Sequence, residues 1–363
     1  MRLKCDGRHP ARRPRGYGGG LGKEHPQLNA APDGSTLGLA GASRLPNRYV
    51  WGLLLGLLAV TAGAEPQRGG TGTQLVPADT AVLGDDLLYA SPTRLDHVGR
   101  IVAPVMIDGK GPYRFIVDTG ASHSTIAPHL ASALGLDPSS EDTLQVHGIT
   151  GTADVPSVPV RRLQAGDLII EDTRLPVIWA PLMAGADGIL GVAGLKGKRI
   201  LVDFRHNRVT ISRSAGASMP AGYDRVPARL LEDGLLAVSA RVGGVRVDAI
   251  IDTGSQQTIA NNALRDALAW RHRKGEVEKV TDVYGATKEV ASGHLEVAPL
   301  IDFGPVKVSN VTLVYGDFHI FTVWGMQSRP TIIIGMDVLG TVNALAIDFE
   351  RSELYVDSVF HVG

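Results

Sequence analysis

The chain has 363 residues, with 44 Gly, 21 Pro and a single Cys. That length allows two domains, and one cysteine excludes a disulfide framework, a zinc cluster and an iron–sulfur site. Glycine at about 12% against a usual ~7%, with few aromatics, predicts an all-β fold rich in tight turns. The formal net charge of −1 averages two unlike parts.

Residues 1–43 carry seven Lys/Arg and three acids and show no periodicity, which predicts a disordered extension or a start that is not used in the cell. Arg44 and Arg48 then flank the apolar run Val50–Val60, which ends in Ala62-Gly63-Ala64. A basic flank, a short apolar core and a small-x-small exit read as a secretory signal peptide over 44–64. The run is short for a membrane span, so no stable span is expected after cleavage; the alternative is an uncleaved anchor. The expected location is periplasmic or secreted. Removing 1–64 leaves 27 basic and 34 acidic residues, a net charge of −7, and no cysteine. Such a chain has no basic stripe for nucleic acid. Residues 65–96 read as a propeptide or as a strand joining an interlobe sheet.

From residue 97 the chain presents one unit twice, over 97–213 and 234–363, separated by an aperiodic linker over 214–233. Unit one opens with the alternating strand Ile101–Ile107, a Gly-rich turn, and Tyr113–Val117 leading into Asp118-Thr119-Gly120. Unit two opens with Leu235–Val242, the turn Gly243-Gly244, and Val245–Ile251 leading into Asp252-Thr253-Gly254. Thr-Ile-Ala follows at 125–127 and at 258–260, with one more intervening residue in the first unit. Short helices are expected from Pro128 and from Asn261. Hairpin tips come next, Val146-His147-Gly148-Ile149-Thr150 and Val283-Tyr284-Gly285-Ala286-Thr287. Ile189-Leu190-Gly191 and Ile333-Ile334-Gly335 follow, and each unit closes with a hairpin that begins at Asp203 or Asp348.

One Asp-Thr-Gly is a weak signal, because its Asp can simply cap its own turn. Two copies in the same ordered context point to chemistry. Two carboxylates at hydrogen-bond distance cannot both ionise, so they share a proton. The ionised member takes a proton from water, and the protonated member bonds the carbonyl under attack. Gly120 and Gly254 permit the close approach this requires.

Asp118-Thr119-Gly120-Ala121-Ser122, Asp252-Thr253-Gly254-Ser255, the two Gly-tipped hairpins and the apolar-apolar-Gly segments resemble the retropepsin-like and pepsin-like aspartic proteases. The resemblance covers about 97–358 and implies an all-β, bilobal fold of two pseudo-twofold-related lobes. By the same resemblance Asp118 and Asp252 are catalytic, and Thr119 and Thr253 bond across to hold the two turns together. Ser255 would orient an Asp oxygen, which Ala121 cannot do by side chain. Gly191 and Gly335 would pack beneath the turns. His147, Gly148, Ile149, Tyr284, Gly285 and Ala286 would form two flaps over a polypeptide substrate. Tyr284 could donate a hydrogen bond there, or be an ordinary strand residue. His147 could make activity pH-sensitive, or be a solvated turn residue.

The expected activity is that of an exported aspartic endopeptidase, monomeric, with no cofactor and no metal; the alternative is a catalytically weak peptide-binding or regulatory protein. His123 and His129 lack a metal-ligand pattern. Asp203 and Asp348 are expected to bond their own turns.

Overall fold

The computed structural model describes residues 49–50, 90–92, 94–95, 100–138, 142–178, 183–215, 218–219, 221–231, 233–268 and 279–358. Asn47–Gly363 form one compact unit. The extension over 1–43 lies outside the described residues, as does the segment 44–64 expected to be a signal peptide, apart from Tyr49–Val50, which run parallel to Gln145–Val146.

Strands dominate, as the glycine and turn pattern predicts. In the first lobe, Ile101–Ile107 pairs antiparallel with Lys110–Val117. The turn between them uses left-handed backbone at Asp108 and Gly109. Val117 then lies parallel to Leu190, and Thr125 pairs antiparallel with Ile189. The second lobe repeats this arrangement. Leu236–Val242 pairs with Val245–Ile251, Ile251 lies parallel to Ile334, and Ile259 pairs with Ile333. Each strand that delivers an Asp ends in three consecutive buried apolar residues. Such a run marks a strand covered on both faces, so its exit is fixed by packing on either side.

Strands from both lobes join in one sheet. The antiparallel order is Asp224–Leu230, Glu353–Asp357, Ala344–Asp348, Lys198–Asp203, Arg208–Arg213 and Ala90–Pro92. The segment 214–233, read from sequence as an aperiodic linker, therefore contains a strand. Its alternation is weak because only Val226 is buried, and Pro227 interrupts the pattern. Ala90–Pro92 forms the far edge of this sheet.

Arg199 and Asp348 couple the two closing hairpins through a buried ion pair at 2.9 Å. Burial alone would raise the Asp348 carboxyl, but the Ser214 hydroxyl, a backbone N–H and Arg199 hold it below the usual range. Asp348 also accepts from the Glu350 and Arg351 amides, while Asp203 accepts from His206 N.

Helices are short: Pro128–Ala133, Asn262–Leu268, His319–Val323 and Met336–Leu339. Pro128 stands at the first helical turn, and the Asn261 side chain accepts from Leu264 N at 3.0 Å as a cap. No helix among the described residues is long and apolar enough to cross a membrane.

Candidate active site

Asp118 and Asp252 each sit one residue beyond a strand, and both are buried, at 1% and 0% exposure. Their backbone amides donate to Leu190 O and Ile334 O, both at 3.0 Å. Those carbonyls directly precede Gly191 and Gly335. A Cβ at Gly191 would lie 2.5 Å from the His123 carbonyl carbon, and one at Gly335 would lie 2.8 Å from that of Gln257. Only glycine lets these strands pass so close under the turns.

The two turns are clasped reciprocally. Thr119 Oγ1 donates to Ile251 O at 2.8 Å and accepts from Thr253 N at 3.1 Å. Thr253 Oγ1 donates to Val117 O at 2.7 Å and accepts from Thr119 N at 3.2 Å. Each threonine thus reaches the strand that carries the opposite aspartate. The glycines admit the carboxyls: a Cβ at Gly120 would lie 2.4 Å from Asp252 Cγ, and one at Gly254 only 2.1 Å from Asp118 Cγ.

Within each turn, Oδ1 accepts from the amide two residues on, Gly120 N or Gly254 N, at 2.8 Å. Asp252 Oδ1 accepts a further bond from Ser255 N at 3.0 Å. Among the described residues, Oδ2 of each carboxyl receives no donor other than a proton shared with the opposite carboxyl. Burial raises Asp118 well above the ordinary carboxylate range, and the charge and hydrogen bond of Asp252 raise it further. Burial also raises Asp252, to about 6, opposed by hydrogen bonds from Asp118 and from the Gly254 and Ser255 amides. Repulsion and desolvation at so short a range favour one shared proton over two charges.

Ser255 departs from the sequence expectation. Its hydroxyl donates to Gln257 O at 2.8 Å, not to an aspartate oxygen; its backbone amide does the orienting instead. A serine hydroxyl so near a bent backbone finds a local carbonyl more readily than a side chain already met by two amides.

The apparent extra residue in the first turn also disappears. Pairing of Thr125 with Ile189 and of Ile259 with Ile333 makes Ser124, not Thr125, the counterpart of Thr258. Both hydroxyls then do the same work. Ser124 Oγ accepts from Gly191 N at 3.1 Å, and Thr258 Oγ1 accepts from Gly335 N at 3.0 Å. The two turns have equal length, and matching Thr-Ile-Ala by letters slips the register by one. Sequence reasoning missed this pair because Ser and Thr were not treated as equivalent hydroxyls.

The flaps are Thr143–His147 with Thr152–Ala165, and Lys279–Tyr284 with Val290–Val297. Their tips touch: Thr150 and Thr287 hydroxyls lie 3.0 Å apart, and a Cβ at Gly148 would lie 3.1 Å from Ala286 N. Each tip is buried in the opposite lobe. Ile149 joins an apolar cluster with Val283, Phe318, Ile320 and Phe321, and Ala286 joins one with Val146, Ile178, Met183 and Ile189. Tyr284 is half-buried against that first-lobe cluster. Gly285 completes the contact, since a Cβ there would meet Thr150 Oγ1 at 2.9 Å.

His147 is not a solvated turn residue. Its Nδ1 and the His319 Nε2 both lie 2.7 Å from Thr152 Oγ1, and the rings stack at 6.0 Å. Burial, then the nearby His319, lower the His147 pKa. The relay ties the first flap to a helix of the second lobe. His129 pairs with Asp187 on the surface, and His123 is held low by burial beside Ser122. No group of His, Cys, Asp or Glu suited to a metal ion occurs among the described residues.

A bilobal β protein with one Asp-Thr-Gly turn per lobe, the two turns clasped through their threonines, defines the aspartic protease fold. The chain belongs to the aspartyl protease family, whose model matches residues 103–193 and 238–338, more than half of the chain. Each matched segment contains one Asp-Thr-Gly turn. No curated protein matches the chain. Among solved structures, soybean basic 7S globulin is similar at 14% identity, over 75% of this chain and 94% of that one, with a TM-score of 0.40.

Proposed function

We propose that the protein is an aspartic endopeptidase in which Asp118 and Asp252 jointly activate a water molecule. The observation that carries this reading is the pair of buried, mutually coupled carboxyls, each fixed at Oδ1 by backbone amides, with no group but the opposite carboxyl to bond its Oδ2. The further amide on Asp252 favours the negative charge there and the shared proton on Asp118. Asp252 then accepts a proton from water, and the water oxygen attacks the peptide carbonyl. Asp118 donates its proton to the carbonyl oxygen, giving a neutral tetrahedral diol. As the C–N bond breaks, Asp252 passes its proton to the amide nitrogen and Asp118 takes one from a diol hydroxyl, which yields acid and amine, restores the starting pair and involves no covalent enzyme intermediate.

The substrate lies extended between the lobes, under both flaps, its main chain pairing with their edges. One chain supplies both aspartates, so a monomer suffices. Export through the 44–64 segment is part of the proposal; it rests on the basic flank, the apolar run and the Ala-Gly-Ala exit. Cleavage of a denatured-protein peptide library tests the activity. The parent is expected to cut, and Asp118→Asn to cut at least ~10³-fold more slowly while remaining folded. Equal cleavage by the variant would overturn the assignment.

A further inference from the structure

Both lobes hold their aspartate through a hydrogen-bond relay, and only the second lobe ends that relay in a charge. There Asp252 N donates to Ile334 O at 3.0 Å. Gly335 N, of the same peptide group, donates to Thr258 Oγ1 at 3.0 Å, and that hydroxyl donates to Asp337 Oδ1 at 2.6 Å. Thr258 N donates to the other carboxylate oxygen, Asp337 Oδ2, at 3.0 Å. Every link donates in one direction, and the last acceptor is a carboxylate. In the first lobe Asp118 N donates to Leu190 O at 3.0 Å and Gly191 N to Ser124 Oγ at 3.1 Å. The position that matches Asp337 is Ala193, whose side chain accepts nothing. Backbone bonds fix the match: Ala193 N donates to Ser122 O at 3.0 Å and Asp337 N to Gln256 O at 3.1 Å. Ser122 and Gln256 each stand four residues beyond their aspartate.

Hydrogen bonds in a one-way chain polarise one another, and a bond to a carboxylate is stronger than one between neutral groups. Thr258 is fully buried, whereas Asp337 opens to solvent at the start of the helix Met336–Leu339. The carboxylate therefore keeps its hydration while its two bonds reach into the interior. Resting on the reading of Asp118 and Asp252 as a working pair, we propose that Asp337 is a positioning residue for Asp252. It anchors the relay that holds the Asp252 backbone, and so fixes the carboxylate that takes the proton from water. Asp337 acts through Thr258 and the peptide group between Ile334 and Gly335. Asp118, which carries the shared proton, is held by the same backbone geometry without the anchor. The lobe that supplies the base is thus the lobe whose turn is tied to a charge.

A carboxylate at this place also suits the first turn of the helix Met336–Leu339, a benefit to folding alone. The two roles differ in reach. The helix role ends with that helix, while the relay runs on to Gly335 N and Asp252 N and passes by the first lobe.

The test uses the full chain enriched in nitrogen-15 and follows four amide protons by NMR, those of Gly335 and Asp252 against those of Gly191 and Asp118, alongside kcat and KM. Asp337→Ala copies the first lobe, and Asp337→Asn removes the charge at constant shape. In whichever of the two folds, the Gly335 and Asp252 amide protons are expected to move upfield, as weakened donors do, while Gly191 and Asp118 stay in place. The expected fall in kcat is about tenfold with KM within about twofold, less than the ~10²-fold of a 1 Å misplacement. Thr258→Ser keeps the hydroxyl and is expected to match the parent. Thr258→Val cuts the relay at its middle, so adding Asp337→Ala to it is expected to lower kcat no further. Unmoved Gly335 and Asp252 signals in a folded Asp337 variant would overturn the proposal, and so would equal movement in both lobes. The NMR arm reads Asp252 even if the parent cleaves nothing, so failure of the peptidase reading is seen separately.

Discussion

Replacing Thr119 by Val tests the clasp that brings the aspartates together. Valine keeps the branched shape and removes only the hydroxyl. Two buried groups then lose their partner: the Ile251 carbonyl, bonded at 2.8 Å, and the Thr253 amide, bonded at 3.1 Å. Both residues are fully buried, so water cannot replace the hydroxyl. Each orphaned group costs about 1–3 kcal/mol, giving about 2–6 kcal/mol for the pair. At ~2.1 cal/mol/K of unfolding entropy per residue, a protein above about 250 residues loses ~1–2 °C of thermal midpoint per kcal/mol, so a drop of at least about 2 °C is expected by calorimetry. Thr119→Ser retains both bonds and is expected to lose less than about 1 kcal/mol, the value of one methyl group. Thr253→Val cuts the reciprocal bonds of the same network, so the double variant is expected to lose less than the sum of the singles. A Thr119→Val midpoint within about 1 °C of the parent would refute the claim that these bonds hold the turns together.

Asp252 is raised to about 6, above its unfolded value, so its contribution to stability is full below about pH 4 and is lost as pH rises through 6. Asp252→Asn is therefore expected to melt above the parent near pH 8 and to lose that advantage near pH 4; a lower midpoint at pH 8 would contradict this. In Gly254→Ala the new Cβ would lie 2.1 Å from Asp118 Cγ and push that carboxyl aside. A displacement of about 1 Å costs ~10²-fold in rate, so kcat should collapse while the circular dichroism spectrum stays unchanged. Thr152→Val removes the hydroxyl that links His147 to His319. Amide exchange measured by mass spectrometry should quicken in the hairpin over 143–165, and unchanged protection would show that the relay does not restrain the flap.

Local sequence carried the parts of the site that local pattern can carry. Alternating or apolar strands, the two Asp-Thr-Gly turns and the Gly-tipped hairpins each sit within a dozen residues, and the structure forms them where the pattern lies. Register across a turn was less legible. Matching Thr-Ile-Ala by identity hid the equivalence of Ser124 and Thr258, which only the pairing partners of Ile189 and Ile333 reveal. Ser255 shows a second limit: a hydroxyl chooses among nearby acceptors by geometry, and Gln257 O was closer to hand than the carboxylate. The strand Asp224–Leu230 was hidden because one buried residue is too little to make an alternating pattern. His319 meets Thr152 across 167 residues of chain, a contact with no sequence signature.

The central claim is that each chain builds one complete site from both aspartates. Isothermal titration of the full chain with a peptide carrying a statine-type hydroxyl, a mimic of the tetrahedral diol, tests it most directly. One peptide per chain is predicted, with binding at least ~10²-fold weaker in both Asp118→Asn and Asp252→Asn. A stoichiometry of one peptide per two chains, or undiminished binding by either variant, would contradict it.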